Sequence, residues 1–141
     1  MQPALLDSSI YVSALRSEKA ALALERLTAG TILWLSAVVL QELYAGAREG
    51  HREVVERWER EFEQSRRILV PDLSDWSNAG KVLRLIAARY DYEKIGCGRL
   101  TNDALIAMSA ARVGIRVITV NEKDFRKLAE FRKFAWQCVA L

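Results

Sequence analysis

A single-domain, three-layer α/β/α sandwich with a mainly parallel sheet of about five strands is what this 141-residue sequence predicts. Three observations carry the prediction. Short apolar runs recur along the chain, separated by longer segments of helical periodicity, the pattern of parallel strands joined by helical crossovers. Gly30 and Gly114 stand where helices should stop, and glycine readily takes the left-handed backbone beyond a helix end. Isolated acids recur where apolar runs give way to helices, at the sheet edge that binds ligands in such folds.

The elements follow in order. Ala4-Leu5-Leu6 is the first strand, followed by helices over residues 8–15 and 18–29. The second strand covers 31–35. A helix over 37–47 comes next and, past Gly50, another over 52–65. In the latter, Val54, Val55, Trp58 and Phe62 form the apolar stripe, and Glu53 and Arg57 pair at i,i+4 on the exposed face. Ile68-Leu69-Val70 is the third strand, closed by Pro71. Ser74 is expected to cap a helix reaching residue 90, with Trp76, Val82, Leu83, Leu85 and Ile86 on its buried side. Residues 91–99, with Gly96-Cys97-Gly98, read as a loop. A helix over 101–113 leads to the fourth strand at 116–119. A short helix over 124–130 and a strand over 136–139 complete the pattern. No repeat or long linker interrupts it, so residues 1–141 are expected to form one domain.

Composition narrows the function classes. With 51% hydrophobic and 28% charged residues, the chain is ordinary for a folded domain and unlike a disordered one. No apolar run approaches the roughly 20 residues that span a bilayer. Met1-Gln2-Pro3 offers no basic n-region and Asp7 would interrupt a signal sequence, so a cytoplasmic protein with no membrane partner is expected. Cys97 and Cys138 fit no zinc spacing and no disulfide framework, and are read as reduced thiols. His51 is the only histidine and lies in a charge-rich helical stretch. Serine-triad or zinc-protease chemistry would rest on it alone, and it is assigned no catalytic role. Charge is uneven: 7 Lys+Arg against 10 Asp+Glu in residues 1–65, and 14 against 8 in residues 66–141. The basic half includes Arg112, Arg116, Lys123, Arg126, Lys127, Arg132 and Lys133. That bias permits binding of a polyanion, although a solvated helical face gives the same pattern.

The isolated acids are the informative residues. Asp7 follows the first strand, where an N-cap role is the simple reading; Ser8 and Ser9 extend its polar cluster. Glu42 sits at the edge of an apolar helix face beside Val38, Ala45 and Gly46, where a carboxylate loses hydration at a cost. Asp103, with Thr101 and Asn102, stands at the expected entry of an almost wholly apolar helix. The helix dipole tolerates an acid there but does not explain a polar entry to a buried helix. Asp124 follows the fourth strand, with Thr119 and Asn121 able to face the same crevice; a capped short helix anchored by Phe125 and Leu128 is the plainer account. Four acids from four segments, brought together, would repel one another until a cation neutralised them. Oxygen donors without His or Cys suit Mg²⁺ or Mn²⁺ better than zinc.

These residues resemble the PIN-domain ribonucleases, in particular the VapC-type toxins of toxin–antitoxin pairs. The resemblance is carried by Leu-Leu-Asp-Ser-Ser at the start, Leu-Ser-Ala-Val-Val-Leu-Gln-Glu-Leu-Tyr-Ala-Gly around Glu42, Leu-Thr-Asn-Asp-Ala-Leu-Ile-Ala around Asp103, and Val-Ile-Thr-Val-Asn-Glu-Lys-Asp-Phe before the last strand. Their order and spacing cover nearly the whole chain. The resemblance implies a PIN-like sandwich and metal-dependent RNA cleavage by activated water, leaving 5′-phosphate and 3′-hydroxyl ends. It implies that Asp7, Glu42, Asp103 and Asp124 are the catalytic and metal-holding acids, with Mg²⁺ or Mn²⁺ as cofactor and Ser9, Thr119 and Asn121 in support. Many members carry Asp where this chain has Asn121, which removes a charge that a second ion would favour. RNA as substrate, a cognate antitoxin as partner and a homodimer are implied in the same way.

Two other readings compete. A receiver-like signalling domain would use Asp7, Asp72 and Thr119, but receivers pair acids at the first strand and Asp7 has no acidic neighbour. A catalytically silent domain of the same fold, binding RNA or protein, has no need of four mutually repelling acids.

Overall fold

The computed structural model describes residues 1–91 and 96–141, the side chains of 96–99 excepted. The chain runs through β1 (Pro3–Leu6), α1 (Ser8–Arg16), α2 (Glu18–Thr28), β2 (Ile32–Ser36), α3 (Ala37–Gly46), α4 (Arg52–Gln64), β3 (Ile68–Leu69), α5 (Leu73–Tyr90), α6 (Gly96–Val113), β4 (Arg116–Thr119), α7 (Glu122–Phe131) and β5 (Trp136–Cys138).

Ala4, Leu5 and Leu6 are essentially inaccessible, as a central strand covered on both faces must be. β1 pairs with β2 on one side (Leu5 opposite Trp34) and with β4 on the other (Leu6 opposite Ile118). β3 joins β2, and β5 joins β4. All pairs are parallel, and the sheet order is β3-β2-β1-β4-β5. The chain therefore moves outward from β1 to β3, crosses back, and moves outward again through β4 and β5. The direction reverses between β1 and β4, the switch point where such sheets open a crevice at their strand ends. Right-handed crossovers put α1–α4 on one face and α5–α7 on the other. The contacts agree: α1 packs on α2 and α3, α3 on α4, and α5, α6 and α7 on one another. α3 also touches α6, where the two helical layers meet.

α6 supplies the densest part of the core. Every residue from Ala104 to Ala110 is buried, and Leu105 and Ile106 alone contribute about 1.5–3 kcal/mol each by leaving water. The helix begins at Gly96 and not at residue 101, so residues 96–99 are helical where a loop was expected. Gly96 and Gly98 each cost about 1 kcal/mol against alanine in a helix. The packing of α6 along α5, with Leu100 fully buried, outweighs that cost. Thr101, Asn102 and Asp103 consequently lie within the helix, beyond the first turn where the dipole acts. The rest of the expected loop, residues 92–95, and the Cys97 side chain lie outside the described residues.

α5 also departs from the sequence expectation at its start. Asp72, not Ser74, is its N-cap: Asp72 Oδ1 accepts from the Asp75 N–H (3.0 Å) and Asp75 Oδ2 accepts from the Asp72 N–H (3.0 Å), a reciprocal capping box. Asp75, Ala79, Val82 and Ile86 form the buried stripe. This phase turns Trp76 and Leu85, expected inside, out to 56% and 43% exposure.

Candidate active site

Asp7 is the first residue past β1 and the N-cap of α1. Its N–H donates to the carbonyl of Ile118 at 2.9 Å, extending the β1–β4 ladder by one step and seating Asp7 at the switch point. The side chain is 3% exposed. Oδ1 accepts from the Ser8 N–H (2.8 Å), and Oδ2 accepts from the hydroxyls of Ser9 (3.0 Å) and Thr119 (2.9 Å). Thr119 is fully buried, and its Oγ1 accepts from the Asn121 N–H at 2.9 Å. A hydroxyl has one proton to give, and here it is given to Asp7. All these donors are neutral, and among the described residues no salt bridge reaches Asp7.

Glu42 arrives from α3. Ser36 caps that helix, its Oγ accepting from the Val38 N–H (3.2 Å), while Val38, Val39 and Leu43 anchor it in the core. Glu42 sits beside this stripe, half-buried, with Oε1 buried and without a hydrogen-bond partner. Burial first, and the Asp7 charge second, push its carboxyl above the ordinary glutamate range. The side chains of Ser8 and Asn102 oppose the shift but leave Oε1 unsatisfied. A polar atom buried in this way costs about 1–3 kcal/mol.

Asp124 is in the first turn of α7, a helix held down by the buried Phe125 and Leu128. The Asn121 amide donates to its Oδ2 at 2.9 Å. Asp124 is thus linked to Asp7 through Asn121 and Thr119. Asp103 and Thr101 are half-buried, each with an interaction of its own; Asn102, between them, acts on Glu42.

The chain therefore joins Asp7, Ser9, Thr119, Asn121 and Asp124 in one hydrogen-bonded network and sets Glu42 against Asp7. It does not gather the four acids into a ready-made cage: among the described residues no three His, Cys, Asp or Glu side chains form a group able to enclose a metal ion. Asp124 instead turns to its own helix cap. Asn102 was not singled out for the site from the sequence, although a polar residue in so apolar a helix was a usable signal.

The network suits a cation all the same. Burial and the Asp7 charge raise the cost of ionising Glu42, among the described residues no salt bridge reaches either acid, and one Glu42 oxygen has no donor. Mg²⁺ is commonly held by one or two carboxylates and keeps several of its waters, so the Asp7–Glu42 pair fits it. No His or Cys belongs to the network, which argues against zinc.

The chain's likeness to known proteins accords with this geometry. The PIN domain family model matches residues 4–131. No curated protein sequence matches the chain. Among solved structures, VapBC2 from Rickettsia felis, bound to a DNA fragment from the promoter, is 22% identical over 99% of this chain and 100% of that one, with a TM-score of 0.65. DNA-bound VapBC from Salmonella typhimurium is 19% identical, over 98% of both chains, with a TM-score of 0.67. VapBC-1 from nontypeable Haemophilus influenzae is 23% identical over 97% of this chain and 98% of its own, with a TM-score of 0.63. Identities this low speak for the fold. With a family model spanning nearly the whole sheet and its crevice, this chain belongs to the PIN domain family.

Proposed function

We propose that the protein is a divalent-metal-dependent endoribonuclease and the toxin of a VapBC-type toxin–antitoxin pair. One observation carries the reading: a buried Asp7 at the switch point, next to a Glu42 whose Oε1 has no hydrogen-bond partner, with no salt bridge to either among the described residues. Membership of the PIN domain family supports nuclease chemistry, and the VapBC complexes among the similar folds support the antitoxin as partner. RNA as substrate, a homodimeric assembly and action in the cytoplasm belong to the same reading; no helix of the described residues is long and apolar enough to cross a membrane.

Asp7 and Glu42 would hold Mg²⁺ or Mn²⁺ directly, with Asp103 and Asp124 as the further acids of the proposed set. When bound, the ion supplies a more acidic water and a counter-charge for the phosphoryl oxygens. The protein's own part is positioning. Ser8, Ser9 and Thr119 fix the Asp7 carboxylate by three hydrogen bonds, so it does not reorient as charge shifts. Asn121 holds Thr119 and Asp124 in register. Asn102 restrains Glu42.

The test is cleavage of single-stranded RNA by the purified protein. The expected result is cutting with Mn²⁺ or Mg²⁺, none with EDTA, and none by a folded Asp103→Asn variant, with 5′-phosphate and 3′-hydroxyl products. Undiminished cutting by Asp103→Asn would overturn the site assignment. Growth arrest on expression, relieved by co-expression of a small neighbouring reading frame, tests the toxin role.

A further inference from the structure

The sequence placed the cations in the second half of the chain, yet a different group lies beside Glu42. A cavity of about 40 Å³ is lined by Glu42 and Leu43 of α3, Val12, Leu15 and Arg16 of α1, and the turn from Gly46 to His51. Arg16 is in the last turn of α1, Arg48 follows the end of α3, and His51 precedes α4 with its side chain making no capping bond. All three come from the acidic half of the sequence. Among the described residues none of the three has a salt bridge. They share a cavity with a carboxylate that they do not pair with.

That arrangement suits a phosphodiester. The volume admits a few water-sized groups, the size of phosphate oxygens and too small for a base. Val12, Leu15 and Leu43 give an apolar wall, and Gly46 and Ala47 add small residues to the lining. A basic peptide would meet two arginines at the rim; a polyanion would meet its counter-charge. We propose that this cavity is a phosphate subsite for the RNA strand, with Arg16, Arg48 and His51 as positioning residues for the phosphate next to the one at the Asp7–Glu42 pair. The inference rests on the ribonuclease reading above and adds the path by which the strand enters. It also explains how an acidic pair can accept a polyanion: flanking cations hold the strand through its backbone without reading bases.

The experiment measures binding apart from cutting. A fluorescein-labelled single-stranded oligoribonucleotide is titrated with the full chain in EDTA, and anisotropy is read at several salt concentrations. The triple variant Arg16→Ala, Arg48→Ala, His51→Ala is compared with Lys81→Ala, Arg84→Ala, which removes the same formal charge from the exposed face of α5. The triple variant should bind about 10–100-fold more weakly, and its salt slope should fall by about 0.7, the value for one phosphate contact on a single strand. The α5 variant should stay within about threefold of the parent. Melting temperature checks folding, and the single variant Arg48→Ala, at an exposed position, should show part of the same loss. A triple variant no weaker than the α5 control would overturn the subsite. Cleavage in Mn²⁺ is scored separately. A parent protein that does not cut, while the triple variant binds poorly, sinks the nuclease reading and supports the subsite.

Discussion

Two buried acids in this molecule are treated in opposite ways. Asp75, 1% exposed on α5, receives the Arg112 guanidinium on both carboxylate oxygens (3.1 and 3.0 Å) and closes a capping box with Asp72. Asp7, 3% exposed, receives only neutral donors and has Glu42 as its charged neighbour. The titrating neighbours diverge accordingly. Asp72 is held below the usual carboxylate range by the Ser74 hydroxyl, the Asp75 backbone and Arg112. Glu42 is pushed above it. The fold pairs one buried acid with a cation and sets the other beside a like charge, and an uncompensated buried charge is costly; that contrast is what the proposed metal site rests on.

Asp7→Asn should show the largest effect. It retains the size of the side chain and most of its hydrogen bonds but removes the charge that would hold the ion. Losing several kcal/mol of charge stabilisation amounts to a rate loss on the order of a thousandfold, with the folded structure kept by circular dichroism. Full activity in that variant would erase the distinction between the two acids.

Arg112→Met should do the reverse. It leaves Asp75 buried without its cation, at a cost of about 2–3 kcal/mol in urea unfolding, below the full cost of breaking a buried pair because Arg112 still reaches water. Cleavage per folded molecule should not change. Glu42→Gln should come next, and with the opposite sign for stability. A carboxyl whose folded pKa is raised binds its proton more tightly when folded, so its contribution falls as pH rises past the ordinary glutamate range and stays low above the folded pKa. In EDTA at neutral pH, Glu42→Gln should therefore raise the melting temperature by about 2–4 °C per kcal/mol regained, while abolishing cleavage. A variant that melts lower than its parent would show Glu42 to be structurally satisfied. The smallest effect should be that of the ion: Mn²⁺ at ten times its dissociation constant adds about 1.4 kcal/mol to the parent and nothing measurable to Glu42→Gln. An equal gain in both would place the ion elsewhere.

Much of the frame was legible from residues alone. The run Arg116–Thr119 is a strand as read, and Phe125 and Leu128 anchor α7 as expected. In the α4 stripe Val55 is buried in the core and Trp58 and Phe62 pack against it. These are local signals: apolar periodicity reports which face leaves water. The start of α6, the cap of α5 and the exposure of Trp76 were misread. The start of α6 and the exposure of Trp76 depend on what a helix meets, and that partner is distant in sequence; the α5 cap is a local Asp72–Asp75 capping box that competes with Ser74. The Asp75–Arg112 pair joins residues 37 apart, and nothing local in either segment announces it.

The sequence by itself determined the alternation of strand and helix and the positions of its isolated acids, because hydrophobic period and turn chemistry act over a few residues; its resemblance to PIN domains lay in the order and spacing of four motifs. The tertiary structure alone decided which acids meet. Parallel strands pair through long crossovers, so the order β3-β2-β1-β4-β5, the Thr119–Asp7 bond across 112 residues and the grouping of Arg16, Arg48 and His51 around one cavity arise only when the sheet closes on its core.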